Sequence, residues 1–284
     1  MNVLTARIAP LMLRVGRAIH RRSPSYRSAN YDRESCPVCG ASGSLILHGV
    51  LWPALVLQWK LTPAWANWID QREGLKCSAC HSNLRSRHLA KTIVEQMNAR
   101  LGTASKTLVE LCNDPICQAQ MIAEINSAGN LHSFLNQAKG LRYSEYGSLD
   151  PNIPSEDLLN LTYADASFDL VVNSDVLEHV PDVERALSEI YRILKPGGLY
   201  IFTVPVVWVQ PKTRQRAEIR HGQLEHKLSP SYHGSELEGK SDFLVFYEFG
   251  RDFTQTCENV GFAVRVEKDA RNPAVATFVA ERTL

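Results

Sequence analysis

"FDLVVNSDVLEHVPDVERALSEIYRILKPGGLYIFTVP", Phe168 to Pro205, decides the fold. Phe168 to Asn173 is a short, nearly continuous apolar run, the composition of a strand covered on both faces. Pro181 stands where a helix can start, and Val183, Leu187, Ile190, Tyr191 and Leu194 then recur on one helical face. Lys195-Pro196-Gly197-Gly198 stops that helix, and Leu199 to Val204 is the next strand. Strand, helix and strand at this spacing form a right-handed parallel crossover.

Working outward, Thr107 to Leu111 reads as an earlier strand, with Asp114 and Pro115 as N-cap and first residue of its helix. Leu141 to Tyr146 is another short strand, and Ala263 to Glu267 with Val275 to Glu281 alternate like a closing antiparallel pair. The expectation is an α/β, doubly wound sheet, which binds ligands beyond the carboxyl ends of its central strands. Those ends carry Glu110 with Cys112, Glu145, and Asn173 to Asp175. Acids at adjacent strand ends suit hydroxyls and cations better than phosphates.

Upstream, "CPVCG" and "CSACH" each hold two cysteines two residues apart, Cys36 with Cys39 and Cys77 with Cys80. Two such knuckles supply the four tetrahedral ligands of a structural zinc. His81 is an alternative ligand to Cys80, and a disulfide pair or unconnected buried thiols are the competing readings. The insertion between the knuckles holds Trp52, Trp59, Trp65 and Trp68, four of the chain's five tryptophans. They read as a wedge against the main domain or as a docking surface. "NLRSRHLAKTIVEQMNARL" then reads as a bridging helix with Leu89, Ile93, Val94 and Met97 on one face.

The chain has 284 residues, a formal net charge of +1 and 44% hydrophobic content, enough for one large domain and a smaller one. The near-neutral balance argues against a surface built for long nucleic acids. No run approaches the roughly 18 apolar residues that cross a bilayer. Near the N-terminus, Leu4, Ile8, Leu11, Met12, Val15 and Ile19 recur at helical spacing beside Arg7, Arg14, Arg17 and Arg21. This basic amphipathic stretch, residues 4–21, fits a peripheral membrane contact, a protein partner, a transit sequence or intramolecular packing. The expected division is residues 1–33 as segment and linker, 34–92 as zinc-binding module and 93–284 as main domain, in a cytoplasmic protein or one peripheral at a membrane.

The quoted stretch resembles the second half of class I S-adenosylmethionine-dependent methyltransferases, with their FDxV strand, LEHV turn, AxxExxRxLKPGG helix and following strand. "LSPSYHGSELEGKSDFLVFYEFGRDF", Leu228 to Phe253, is similar to a bacterial subset with a PxYHG stretch followed by FG-D-F. The paired cysteines followed by "NLRSRHLA" resemble members with an N-terminal zinc module. These likenesses span residues 34–284. They imply a Rossmann-like, mostly parallel seven-stranded sheet, S-adenosylmethionine as cofactor, and an acceptor in glycan or secondary-metabolite synthesis.

The resemblance also implies roles. Glu110, with Leu111 and Cys112, serves the methionine amino end; Glu145 takes both ribose hydroxyls; Asp157 accepts from the adenine amino group beside Leu158. Asn173, Ser174 and Asp175 line the sulfonium end. The departure is the opening loop, where the family's E-x-G-x-G-x-G has become Glu110-Leu111-Cys112-Asn113-Asp114-Pro115. Glu145 also lies 35 residues beyond Glu110, whereas about 20 is usual for a nucleotide-binding acid. The loop is either a remodelled working site or a relic.

Methyl transfer to a sugar-like hydroxyl requires a general base. His233, in the segment expected to cover the acceptor, is the first candidate and His179 of "LEHV" the second. O-methylation of a small molecule or glycan intermediate is the leading expectation. An inactive binding subunit and an RNA methyltransferase using Arg85, Arg87 and His88 are the alternatives.

Overall fold

The computed structural model describes residues 34–43, 45–51, 53–59, 61–232 and 243–283. The basic segment 4–21, Trp52 and His233 lie outside the described residues. The cysteine module opens the fold with β1 (Leu45–Leu47), α1 (Pro53–Gln58), α2 (Pro63–Gly74) and β2 (Leu75–Cys77), and β1 pairs antiparallel with β2. Helix α3 (Leu84–Leu101) follows, its first turn capped by Asn83, whose side chain accepts from Ser86 N at 2.8 Å. Gly102 ends it in the left-handed conformation at φ 69°. The expected domain boundary at residues 92 and 93 therefore falls inside one uninterrupted helix.

Thr107 to Leu111 is not a strand. It forms α4 (Leu108–Asn113), with Thr107 as N-cap accepting from Glu110 N at 3.1 Å. Glu110 reaches back past the cap to accept from Lys106 N at 2.7 Å, so Thr107 and Glu110 together hold the first turn. Asp114 is the C-cap of α4 rather than the start of a long helix; its carboxylate accepts from Ile116 N at 2.8 Å. The first parallel strand is β3 (Ile122–Ile125), all four residues buried. After it come α5 (His132–Leu135) and β4 (Leu141–Ser144).

The quoted stretch folds as strand, helix and strand as read, except that Leu194 to Gly198, expected to end the helix, already belong to the second strand. Strand β5 (Phe168–Ser174) leads to α6 (Val183–Ile193), capped by Asp182 on Arg185 N at 3.0 Å, and to β6 (Leu194–Thr203). Short pairs β7 (Arg214–Gln215) with β10 (Tyr247–Glu248), and β8 (Ala217–Arg220) with β9 (Gln223–His226), lie between β6 and α7 (Phe253–Val260). Strands β11 (Phe262–Lys268) and β12 (Ala276–Arg282) close the sheet antiparallel, as expected.

The central sheet runs β11-β12-β6-β5-β3-β4, with β6, β5, β3 and β4 parallel. Six strands are present among the described residues, not seven. Outside β4 there is only an isolated parallel bridge, Glu145 to Ser155. Tyr200, Phe202, Phe253 and Phe278 fill the core on the α6–α7 side, and Leu89, Ile93, Met97 and Leu111 that under α3. Burying each such side chain contributes roughly 1.5–3 kcal/mol against the unfolded chain. Among the described residues no helix is long and apolar enough to cross a membrane.

Candidate active site at the strand ends

The first parallel strand, β3, runs on through Glu124-Ile125 into the loop Asn126-Ser127-Ala128-Gly129, the position in the sheet expected of the residues after Glu110. Asn126 (φ 56°) and Gly129 (φ 67°) take the left-handed turns. Asparagine tolerates that region because its short polar side chain bonds locally, and here Asn126 Oδ1 accepts from Tyr146 N at 2.7 Å. Glu124 is fully buried, accepts from Ala128 N at 2.8 Å and pairs with His132 Nδ1 at 2.7 Å. Burial pushes its carboxyl up, and the His132 hydrogen bond and the Ala128 amide oppose that rise.

Glu145 lies one residue beyond β4, 21 residues after Glu124, the spacing expected of a nucleotide-binding acid. Its Oε1 accepts from Ser127 N at 3.1 Å and from the Tyr143 hydroxyl. Burial, then this carboxylate, raise the Tyr143 hydroxyl above its ordinary range. Glu156 N donates to the Glu145 carbonyl at 3.3 Å, which brings the next residue, Asp157, alongside. Asp157 is exposed with Oδ1 accepting from Leu159 N at 2.9 Å, and Leu158 is buried beside it. Glu145, Asp157 and Leu158 thus meet at one sheet edge with the Asn126–Gly129 loop.

This edge fits the nucleoside half of S-adenosylmethionine. A Cβ added at Gly129 would meet only Ser86 Oγ at 3.8 Å, so the loop leaves room for close approach of a ligand. Glu110 is absent from this edge: it is an exposed helix-capping residue, and Leu111 and Cys112 are buried in the core under α3. Their expected cofactor role rested on a strand that does not form.

At the end of β5, Asn173 is fully buried and its Oδ1 accepts from the Tyr200 hydroxyl at 2.9 Å. Asp175 takes a left-handed φ of 54°, with its N donating to the Thr203 carbonyl at 2.9 Å. Its carboxylate accepts from Arg72 Nη1 and Nη2, each at 2.8 Å, and from Thr203 Oγ1 at 2.7 Å. Arg85 Nε is 3.3 Å from Asp175 Oδ2, and Arg85 Nη1 donates to Ser174 Oγ. Glu73 accepts from Arg85 Nε at 3.0 Å and from Asn83 Nδ2 at 2.9 Å. Burial alone would raise the Asp175 carboxyl; the guanidiniums of Arg72 and Arg85 overcome it and hold the group well below the carboxylate range. Arg72 and Arg85 come from α2 and α3, so the module roofs this end of the sheet.

His179 is partly buried, and its Nδ1 lies 3.0 Å from the Leu244 carbonyl. A carbonyl only accepts, so Nδ1 carries a proton, and Nε2 lies 3.7 Å from Glu178 Oε1.

The four knuckle sulfurs converge, all within 4.8 Å of one another. Cys36 Sγ to Cys80 Sγ is 3.7 Å and Cys39 Sγ to Cys77 Sγ is 4.0 Å. A tetrahedral zinc with Zn–S bonds of about 2.3 Å needs edges of about 3.8 Å, so the donor set fits. The insertion is seated on the main domain: the Trp68 carbonyl accepts from Asn272 Nδ2 at 3.0 Å, and Trp65 meets Trp68 edge-on at 5.2 Å.

Four features escaped sequence reasoning: Glu124, the Asn126–Gly129 loop, Arg72 and the contact of Arg85 with the β5 end. The first two had a signal, because "IAEI" is a short apolar run whose glutamate, Glu124, stands 21 residues before Glu145.

Residues 129–202 match the family described as a methyltransferase domain. A sterol 24-C-methyltransferase of Pneumocystis carinii is 29% identical over 116 residues, 40% of this chain and 30% of that protein. A dimethylglycine N-methyltransferase of Parasynechococcus marenigrum is 31% identical over 113 residues, 40% of this chain and 37% of its own length. An S-adenosylmethionine-dependent methyltransferase structure from Mesorhizobium loti shares 18% identity over 57% of this chain and 91% of that one, with a TM-score of 0.36. The chain spans about a third of the length of the curated relatives it matches.

Proposed function

We infer that this chain, which carries a methyltransferase domain over residues 129–202, is a class I S-adenosylmethionine-dependent methyltransferase acting on a hydroxyl of a small molecule or glycan intermediate. The observation that carries the reading is the join of the β3 loop to the end of β4, where Ser127 N donates to Glu145 Oε1 and Tyr146 N donates to Asn126 Oδ1, with Asp157 alongside. These residues would hold the nucleoside, Glu145 by the ribose hydroxyls and Asp157 by the adenine amino group. Ser174 and Asp175 stand where the methionine end would lie. The cofactor, when bound, supplies a methyl group on a sulfonium. The protein's part is to align the acceptor with that methyl and exclude water.

A hydroxyl acceptor would need a base, and His179, held by its Nδ1 on the Leu244 carbonyl, is the candidate among the described residues. His233, from the sequence alone, is the other candidate. The glycan or secondary-metabolite acceptor rests on the resemblance of Leu228 to Phe253, and the four-sulfur geometry supports a structural zinc in the module.

Titration calorimetry with S-adenosylhomocysteine tests the reading. Saturable heat at one site per chain is expected. No heat and no thermal shift at millimolar ligand would leave the inactive binding subunit, a reading favoured in that case by the arginines that already occupy Asp175.

A further inference from the structure

The cysteine cluster and the strand-end carboxylates are joined by side chains. Asn130, next after Gly129 in the β3 loop, donates its amide to the Cys80 carbonyl at 3.2 Å. On the neighbouring strand end, Arg72 of α2 clamps Asp175 and Arg85 of α3 donates to Ser174. The first knuckle is tied in as well: Leu108 N donates to the Pro37 carbonyl at 2.8 Å and Val109 N to the Val38 carbonyl at 3.2 Å.

The geometry has a mechanical consequence. The Cys77–Cys80 turn is closed by His81 N on the Cys77 carbonyl at 2.9 Å and Cys77 N on the Ser82 carbonyl at 3.0 Å. An ion shared with Cys36 and Cys39 fixes this turn, and so fixes where the Cys80 carbonyl points. Helix α3 begins at Leu84, four residues beyond Cys80, so the same turn sets the helix end that carries Arg85. Arg85 in turn holds Glu73, beside Arg72 on α2. Asp175 needs such support, because a left-handed φ at a non-glycine residue persists only where its surroundings determine it.

We propose that metal at the four cysteines and nucleoside at the strand ends bind cooperatively, with Asn130, Arg72 and Arg85 as the positioning residues that carry the coupling. This rests on the reading of the strand ends as a nucleoside site. The ion orders the knuckle, the knuckle sets the β3 loop and the β5 end, and nucleoside binding to metal-free protein must supply that ordering itself. Linkage makes the effect reciprocal: each ligand tightens the other by one and the same factor.

The test measures both factors. Zinc affinity is taken by chelator competition with and without saturating S-adenosylhomocysteine, and nucleoside affinity by calorimetry on zinc-loaded and zinc-stripped protein. Two equal ratios of about 5-fold or more are expected, in the usual range for coupled sites. In Asn130→Ala, an exposed substitution, and in Arg72→Gln/Arg85→Gln, zinc should still bind at one per chain while the ratio falls toward one. Nucleoside binding with a ratio of one in the wild type overturns the coupling alone. Ratios unchanged in both variants overturn the assignment to these residues. Zinc-loaded protein that binds no nucleoside overturns the enzyme reading, and the coupling with it.

Discussion

Arg72 grips Asp175 with both terminal guanidinium nitrogens, each 2.8 Å from a different carboxylate oxygen, across 103 residues of sequence. The side chains are 8% and 19% exposed, so the pair is largely out of water. A buried pair is a poor source of net stability, but removing one partner leaves a desolvated charge. Arg72→Ala should therefore cost about 3–5 kcal/mol, reduced by whatever Arg85 still supplies from 3.3 Å. The double replacement Arg72→Met/Asp175→Asn should cost less than Arg72→Ala alone, since it removes both charges and asparagine accepts the left-handed turn. Denaturant unfolding of the three proteins checks the order. A double variant less stable than Arg72→Ala would mean that the ion pair itself, not the stranded charge, sets the cost.

That pair also marks where the sequence stopped being legible. The β5–α6–β6 unit could be read because each element carries its own signal: a continuous apolar run, a helical stripe, a Pro-Gly-Gly stop. "TLVEL" carries two signals at once, apolar residues that suit a strand and a Thr-x-x-Glu cap that suits a helix, and the cap prevailed. The misread strand put the first parallel strand at residues 107–111 instead of Ile122–Ile125, and with it the proposed loop. The strand before Glu145 was read nearly to its end, so the proposal for Glu145 did not depend on that error. Arg72 could not be found at all and Arg85 was read only as a nucleic-acid contact, because their partners at the β5 end are set by packing of a separate module.

The four cysteines should bind one zinc per chain. The sulfur separations of 3.7 and 4.0 Å already match a tetrahedral edge. Elemental analysis of protein purified without added metal should give a stoichiometry near one, and Cys77→Ser/Cys80→Ser should lose it. Chelation should also melt the module, because small metal-bound folds draw most of their stability from the ion. Full zinc retention in the double variant would place the metal elsewhere.

His88 should make stability sensitive to mild acid. Its Nδ1 lies 2.8 Å from Thr277 Oγ1 on β12, and burial pushes the imidazole down to about 4. Asp269 opposes that drop, while Lys91 and Arg271 add to it. An unfolded histidine titrates near 6.5, so between those values the unfolded chain binds the proton more readily. The stability is complete above about pH 6.5 and is lost as pH falls toward about 4, a swing on the order of 3 kcal/mol. Calorimetric melting of zinc-loaded protein should show a smaller drop in Tm from about pH 7 to about pH 5 in His88→Gln than in the wild type. Parallel profiles would remove His88 as the acid-sensitive group.

Two glutamates that look alike in sequence should separate in experiment. Glu145 sits at the end of β4, with Ser127 N on its Oε1, and its Oε2 makes no hydrogen bond to any described residue. Glu110 caps α4 from the exposed side, bonded to Lys106 N. A hydrogen bond to a charged group contributes roughly 1.5–3 kcal/mol. At about 1.4 kcal/mol per decade, Glu145→Ala should weaken S-adenosylhomocysteine binding about 10- to 150-fold. Glu110→Ala should leave that affinity unchanged and cost only about 1 kcal/mol of stability through the lost capping contact. Calorimetry on the two variants, with unfolding midpoints measured alongside, distinguishes the roles. Lost affinity in Glu110→Ala with none in Glu145→Ala would restore the first strand to residues 107–111 and move the nucleoside away from the β3 loop. Lost affinity in Glu145→Ala alone would place the ribose against the loop that Asn126 and Gly129 turn, where a single glycine serves in place of three.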